Sequence, residues 1–129
     1  MTRPAQPLIL VVDDDDEIRE VIEAFLRHEG FAVETAATGA EAIEKALRRP
    51  PALVLLDYQM PGMDGWRCAE RLRSHPATAR VPIVAVTGYT RQVDRNRAMQ
   101  AGVDGYLDKP VDLDQLLAEI RRVLGRDRP

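Results

Sequence analysis

A short apolar run followed by a helical pattern recurs five times along this chain, and that alternation constrains the fold more than any other feature. The runs cover 8–12, 31–36, 53–57, 83–87 and 105–107. Strands that alternate with helices build a parallel sheet with helices on both faces. Leu53-Val54-Leu55-Leu56 is apolar throughout, as burial on both faces of a central strand requires, whereas the run at 31–36 is half polar and suits an edge.

The helical stretches carry their own boundaries. The first begins among the aspartates, buries a stripe of Ile18, Val21, Ile22, Phe25 and Leu26, and ends at Gly30. Thr38 and Glu41 form a capping-box pattern that opens the second, with Ala42, Ile43, Ala46 and Leu47 inward and Pro50-Pro51 stopping it. The third carries Trp66, Ala69 and Leu72 and runs to about Ser74. A fourth, over 90–101, has only Val93, Ala98 and Met99 as anchors and should be the least firmly held. Asp112 caps the last, whose inward residues are Leu113, Leu116, Leu117, Ile120, Val123 and Leu124. The expected organisation is a tail over 1–7, one domain over 8–125 and a tail over 126–129.

At 129 residues, the chain has room for that single domain with one well-buried core, and it is expected to act through one site and its surface. A net charge of −3 gives no electrostatic case for a nucleic-acid partner. The apolar run from Leu8 to Val12 is cut off by aspartates, too short for a signal-peptide core or a membrane span, so a cytoplasmic chain with no membrane partner is expected. Cys68 is the only cysteine, which excludes an internal disulfide; it reads as packing.

Parallel strands deliver their carboxyl ends to one crevice. Here those ends carry the run Asp13 to Asp16, then Asp57, Thr87 and, after the fifth strand, Lys109 followed by Pro110. Carboxylates, a hydroxyl and an ammonium in one crevice describe a cation-assisted phosphoryl site. A carboxylate held rigidly at the end of an apolar strand, as Asp57 would be, can attack phosphorus to form an acyl phosphate. Asp13 and Asp14 would add like charges beside it, tolerable when a hard divalent ion such as Mg²⁺ intervenes. Asp15, Asp16 and Glu17 are explained by the dipole of the helix they open. Lys109 supplies a point positive charge and Thr87 a hydroxyl donor, which suits a reaction governed by charge neutralisation. Gly88 lets backbone approach a phosphoryl group with no side chain in the way.

With those motifs and Asp57-Tyr58-Gln59-Met60-Pro61-Gly62-Met63-Asp64-Gly65 between them, the chain resembles a receiver domain of the two-component response-regulator family from Leu8 to about Leu124. The resemblance implies a flavodoxin-like, doubly wound sheet of five parallel strands in order 2-1-3-4-5 with five helices. It makes Asp57 the phosphoacceptor and Lys109 and Thr87 its partners. Mg²⁺ would be held by Asp14, Asp57 and the backbone carbonyl of Gln59, with Asp13 acting through water. It implies a cis Lys109-Pro110 bond, and it places Gln59 and Tyr89 beside the hydrolytic water. Thr87 and Tyr106 would be the switch pair, altering the surface of the fourth helix, fifth strand and fifth helix. The partners implied are a histidine kinase or histidine phosphotransfer protein as donor and a protein target downstream, with the receiver standing alone.

Two other classes compete. A Mg²⁺-dependent phosphatase of the haloacid-dehalogenase type also forms an aspartyl phosphate, but it places a second aspartate two positions on as general acid, where this chain has Gln59. Only slow self-dephosphorylation is therefore expected. A flavin-binding module of similar topology needs a hydroxyl- and glycine-rich phosphate loop after the first strand; aspartates there would repel the flavin phosphate.

Overall fold

Side chains alternate across a strand, so each apolar run in a two-faced sheet feeds two cores. On one face Leu10, Val12, Val54, Leu56, Ile83 and Ala85 pack with Ala42, Ala46, Ala69 and Leu72. On the other, Ile9, Val11, Leu53, Leu55, Val84 and Val86 pack with Ile22, Leu26, Leu116, Ile120 and Val123. The computed structural model describes residues 6–59, 65–88 and 102–125. The turn at 60–64, the helix expected over 90–101 and Tyr89 lie outside the described residues.

Along the described chain run β1 (Leu8–Val12), α1 (Asp16–His28), β2 (Ala32–Ala36), α2 (Gly39–Arg48), β3 (Leu53–Asp57), α3 (Gly65–Ser74), β4 (Ile83–Thr87), β5 (Gly105–Asp108) and α4 (Leu113–Gly125). The sheet order is β2-β1-β3-β4-β5, and every pairing is parallel. This is the doubly wound order expected, with β1 and β3 adjacent at the switch point. Among the described residues, no helix is long and apolar enough to cross a membrane.

The caps follow the side chains available. Asp15 accepts the Ile18 N–H at 3.1 Å, so this aspartate serves α1. Gly30, at φ 99°, takes the left-handed conformation that ends the helix. Thr38 Oγ1 accepts the Glu41 N–H at 3.1 Å, while Glu41 Oε1 reaches back to the Ala37 N–H at 3.2 Å, one residue before the usual capping-box partner. Asp112 Oδ1 accepts N–H groups of Asp114 and Gln115 at 2.8 and 3.1 Å.

Three residues expected inside are not. Ile18 is 38% exposed, Val21 55% and Leu47 38%. Ile22 and Leu26 fix the inward face of α1, and Val21 lies about 100° around the helix from Ile22, which carries it to the flank.

A polar clamp joins the amino-terminal ends of β4 and β5. Arg73, near the end of α3, donates to the carbonyls of Gly102 (2.8 Å), Ala79 (3.2 Å) and Val81, and to Asp104 Oδ2 at 2.9 Å. The same carboxylate oxygen accepts the Ile83 N–H at 2.9 Å.

Candidate functional site

Ladder hydrogen bonds run one residue past the strand ends and start the site loops at set positions. Asp13 N–H donates to Ala36 O at 3.1 Å, Tyr58 N–H to Val86 O at 2.9 Å and Lys109 N–H to Thr87 O at 2.9 Å. Asp13 thus follows β1, Asp57 closes β3, Thr87 closes β4 and Lys109 follows β5, all at one edge of the sheet.

Carboxylate oxygens of Asp13, Asp14 and Asp57 lie within 4.8 Å of one another. Asp57 is 1% exposed and Asp13 4%, while Asp14 is open to solvent. Asp57 Oδ1 accepts the Gln59 N–H at 2.9 Å and stands 3.0 Å from Lys109 Nζ. Asp57 Oδ2 is buried and has no hydrogen-bond partner among the described residues. Burial pushes the Asp13 carboxyl above its ordinary 3.8; the charges of Asp57 and Asp14 add to this, while the Asp15 N–H at 2.8 Å and the Lys109 ammonium oppose it.

Among the described residues, three carboxylates face one ammonium and leave negative charge in excess, and the Asp57 oxygen lacks the partner a buried polar atom normally has. An all-oxygen donor set of this kind fits a hard divalent cation. Thr87 is buried at the end of β4, beside the Val86 that pairs with Asp57. Tyr106 pairs with Ala85 and packs half-buried against the core on the α2 and α3 face. The Lys109-Pro110 bond is cis. The structure therefore gathers Asp13, Asp14, Asp57, Gln59 and Lys109 directly, with Thr87 at the adjoining strand end.

Sequence reading missed three supporting contacts. Arg19 Nη1 donates to the Asp13 carbonyl at 2.8 Å, pinning the acidic loop from α1. Glu119 Oε2 accepts the Tyr106 N–H at 3.0 Å. Gln59 Oε1 accepts the Gly88 N–H at 2.9 Å. Arg19 and Glu119 look like ordinary helix-surface charges in sequence; Gln59 was marked by position, but not by the contact its side chain makes.

A doubly wound parallel sheet with a carboxylate cluster and a lysine at its switch-point edge defines a class of phosphate-handling α/β domain. The family model described as the response regulator receiver domain matches residues 9–121, and the chain belongs to that family, the receivers of two-component systems. It is 35% identical over 123 residues to the phosphate regulon transcriptional regulatory protein PhoB of Rhizobium meliloti, covering 95% of this chain and 54% of PhoB. The chain spans about half the length of several curated relatives it matches, PhoB among them. Chemotaxis protein CheY4 of Vibrio cholerae superposes with a TM-score of 0.89 at 32% identity, over 92% of this chain and 99% of that one. The receiver domain of sensor histidine kinase PA1611 from Pseudomonas aeruginosa superposes at 0.86 with 36% identity, over 94% and 99%; that structure holds a magnesium ion in its active-site cleft.

Proposed function

We propose that this receiver takes a phosphoryl group onto Asp57. The observation that carries the reading is the environment of one buried carboxylate: Oδ1 is held by Lys109 and the Gln59 N–H, Oδ2 has no hydrogen-bond partner among the described residues, and the group belongs to a carboxylate cluster suited to a cation. An Asp57 oxygen attacks phosphorus as the bond from phosphorus to the donor's histidine nitrogen breaks. The electron pair leaves on that nitrogen, a proton carried by the other ring nitrogen of the phosphohistidine lets the histidine depart as neutral imidazole, and Asp57 becomes an acyl phosphate.

Asp14, Asp57 and the Gln59 carbonyl would hold Mg²⁺, with Asp13 acting through water. When bound, Mg²⁺ supplies positive charge that neutralises phosphoryl oxygens and lets the carboxylates coexist. Lys109 offsets charge from the other side, and Thr87 donates its hydroxyl. Tyr106, on the neighbouring strand, follows Thr87 as the switch aromatic. Gln59 offers a carboxamide where a hydrolase would carry a general acid, so self-dephosphorylation is slow and the domain works as a switch rather than by turnover.

A groove of about 690 Å³ opens beside the site, lined by Ile18, Val21, Ile22, Pro110, Val111 and Leu113, with Asp13 and Lys109 also on its wall. The exposed Ile18 and Val21 belong to it. It suits the apolar face of a helix on a histidine kinase or phosphotransfer protein, whose histidine would then meet Asp57. The altered surface around β5 and α4 would engage a protein target.

Incubation with Mg²⁺ and acetyl phosphate, followed by intact-mass measurement, tests the acceptor. One base-labile phosphate should appear on the parent and not on Asp57→Asn. Equal labelling of both proteins, or none on either, contradicts the reading.

A further inference from the structure

Gln59 binds the acceptor with its backbone and the next strand end with its side chain. Its N–H donates to Asp57 Oδ1 at 2.9 Å, and its carboxamide Oε1 accepts the Gly88 N–H, also at 2.9 Å. Since β3 and β4 are neighbours with Asp57 opposite Val86, this side chain bridges two strand ends at the mouth of the acceptor site. Position 88 permits the approach because it lacks a side chain: a Cβ there would stand 3.0 Å from Gln59 Oε1.

We propose that Gln59 is a latch, a positioning residue whose carboxamide holds the Gly88 N–H that the phosphoryl group must take over. The proposal rests on Asp57 being the acceptor. A phosphoryl group brings strong acceptor oxygens to the site, and oxyanions are best stabilised by fixed backbone N–H donors. Gly88 follows Thr87 directly and carries such a donor. In the unmodified protein that donor is already bonded to a neutral amide oxygen. A phosphoryl oxygen is the stronger acceptor, because its bond is charge-assisted, so the Gly88 N–H transfers to it and the carboxamide is released. The latch therefore lowers affinity for a phosphoryl group by about the worth of one neutral hydrogen bond, and its release frees the Gln59 carboxamide in step with modification.

Gln59→Met keeps the width of the side chain and removes the strong acceptor. The probe is beryllofluoride, made from beryllium and fluoride salts in the presence of Mg²⁺, a phosphoryl mimic that binds without covalent transfer. Half-saturation of the variant should fall about three- to tenfold below that of the parent. In ¹⁵N spectra the Gly88 amide should lie downfield in the unliganded parent and upfield in the unliganded variant, and the two should converge on one position once beryllofluoride is bound. An unchanged or weakened half-saturation overturns the latch, since a purely structural bond would alter the free spectrum alone. A Gly88 resonance indifferent to Gln59→Met overturns it too. If the parent fails to take up beryllofluoride, the acceptor reading itself falls and the latch with it, an outcome distinct from parent and variant binding equally.

Discussion

Lys109 Nζ stands 3.0 Å from Asp57 Oδ1, so a lysine that follows the edge strand β5 meets a carboxylate buried at the end of β3, two positions away in the sheet. The pair is reached across β4, where Thr87 O accepts the Lys109 N–H and fixes the start of the lysine loop. Ammonium and divalent ion offset the same negative charge and so compete electrostatically. Lys109→Met is expected to tighten Mg²⁺ binding by about fivefold or more, ~1 kcal/mol being the scale of an exposed pair and Asp57 being buried, while slowing labelling by acetyl phosphate. Titration calorimetry decides the first effect; weaker Mg²⁺ binding in the variant would show that the lysine organises the carboxylates rather than competing with the ion.

Because carboxylate oxygens of Asp13, Asp14 and Asp57 crowd within 4.8 Å, the metal-free fold carries an electrostatic cost that a bound divalent ion would remove. Mg²⁺ at one hundred times its dissociation constant should stabilise the protein by about 2.7 kcal/mol. Asp57→Asn should match or exceed the parent in thermal stability without Mg²⁺ and lose most of the Mg²⁺-dependent gain. A full Mg²⁺ response in that variant would remove Asp57 from the ion site.

Glu119 links α4 to β5. The hydrogen bond from Arg122 chiefly, with help from the Tyr106 N–H, holds its carboxyl below the ordinary 4.5 against a contrary effect of burial. A depressed carboxyl contributes stability that is present above its unfolded value and lost as pH falls through the folded one. Glu119→Gln should lower stability at pH 7 by about 0.5–1 kcal/mol and flatten the decline below about pH 4.5. Urea midpoints recorded from pH 7 to 3 should therefore converge; curves that stay parallel speak against this pair.

Gly65 opens α3 against Tyr58. A Cβ there would lie 2.2 Å from Tyr58 Cδ1 and 2.6 Å from Tyr58 Cα, and the backbone atom cannot swing aside. Gly65→Ala should cost about 1–3 kcal/mol despite the better helix propensity of alanine, and should shift Trp66 emission, since the two rings sit 4.7 Å apart. Gly125→Ala, where a Cβ meets nothing within 4 Å, is the control and should be neutral or slightly stabilising. Similar denaturation midpoints for both variants would refute the clash.

Arg73→Ala should cost about 2–4 kcal/mol, because the carbonyls of Ala79, Val81 and Gly102 lose the guanidinium donor at once and Asp104 loses its ion-pair partner. Arg73→Lys should recover little of this, since a single ammonium cannot reproduce the guanidinium fork. Chemical denaturation distinguishes the two; full recovery by lysine would mean that charge alone matters.

Strands and helices were legible because each signal is local. The short apolar runs mark β1 to β5, and Asp15, Thr38 and Asp112 cap the helices beneath their own N–H groups. Burial was less legible. Ile18, Val21 and Leu47 share the apolar character of their neighbours, but how far around a helix the core extends depends on what packs beside it.

The sequence by itself determined the open parallel sheet and the residues at its carboxyl edge, since period, polarity and strand-end position are properties of neighbours along the chain. Only tertiary structure decided which atoms face one another there: Lys109 on Asp57 Oδ1, Gln59 on Gly88, Glu119 on Tyr106 and Arg73 on Gly102. Each of these contacts joins separate elements. Its partners meet only once β-strand register and helix packing have set distances that no local pattern encodes.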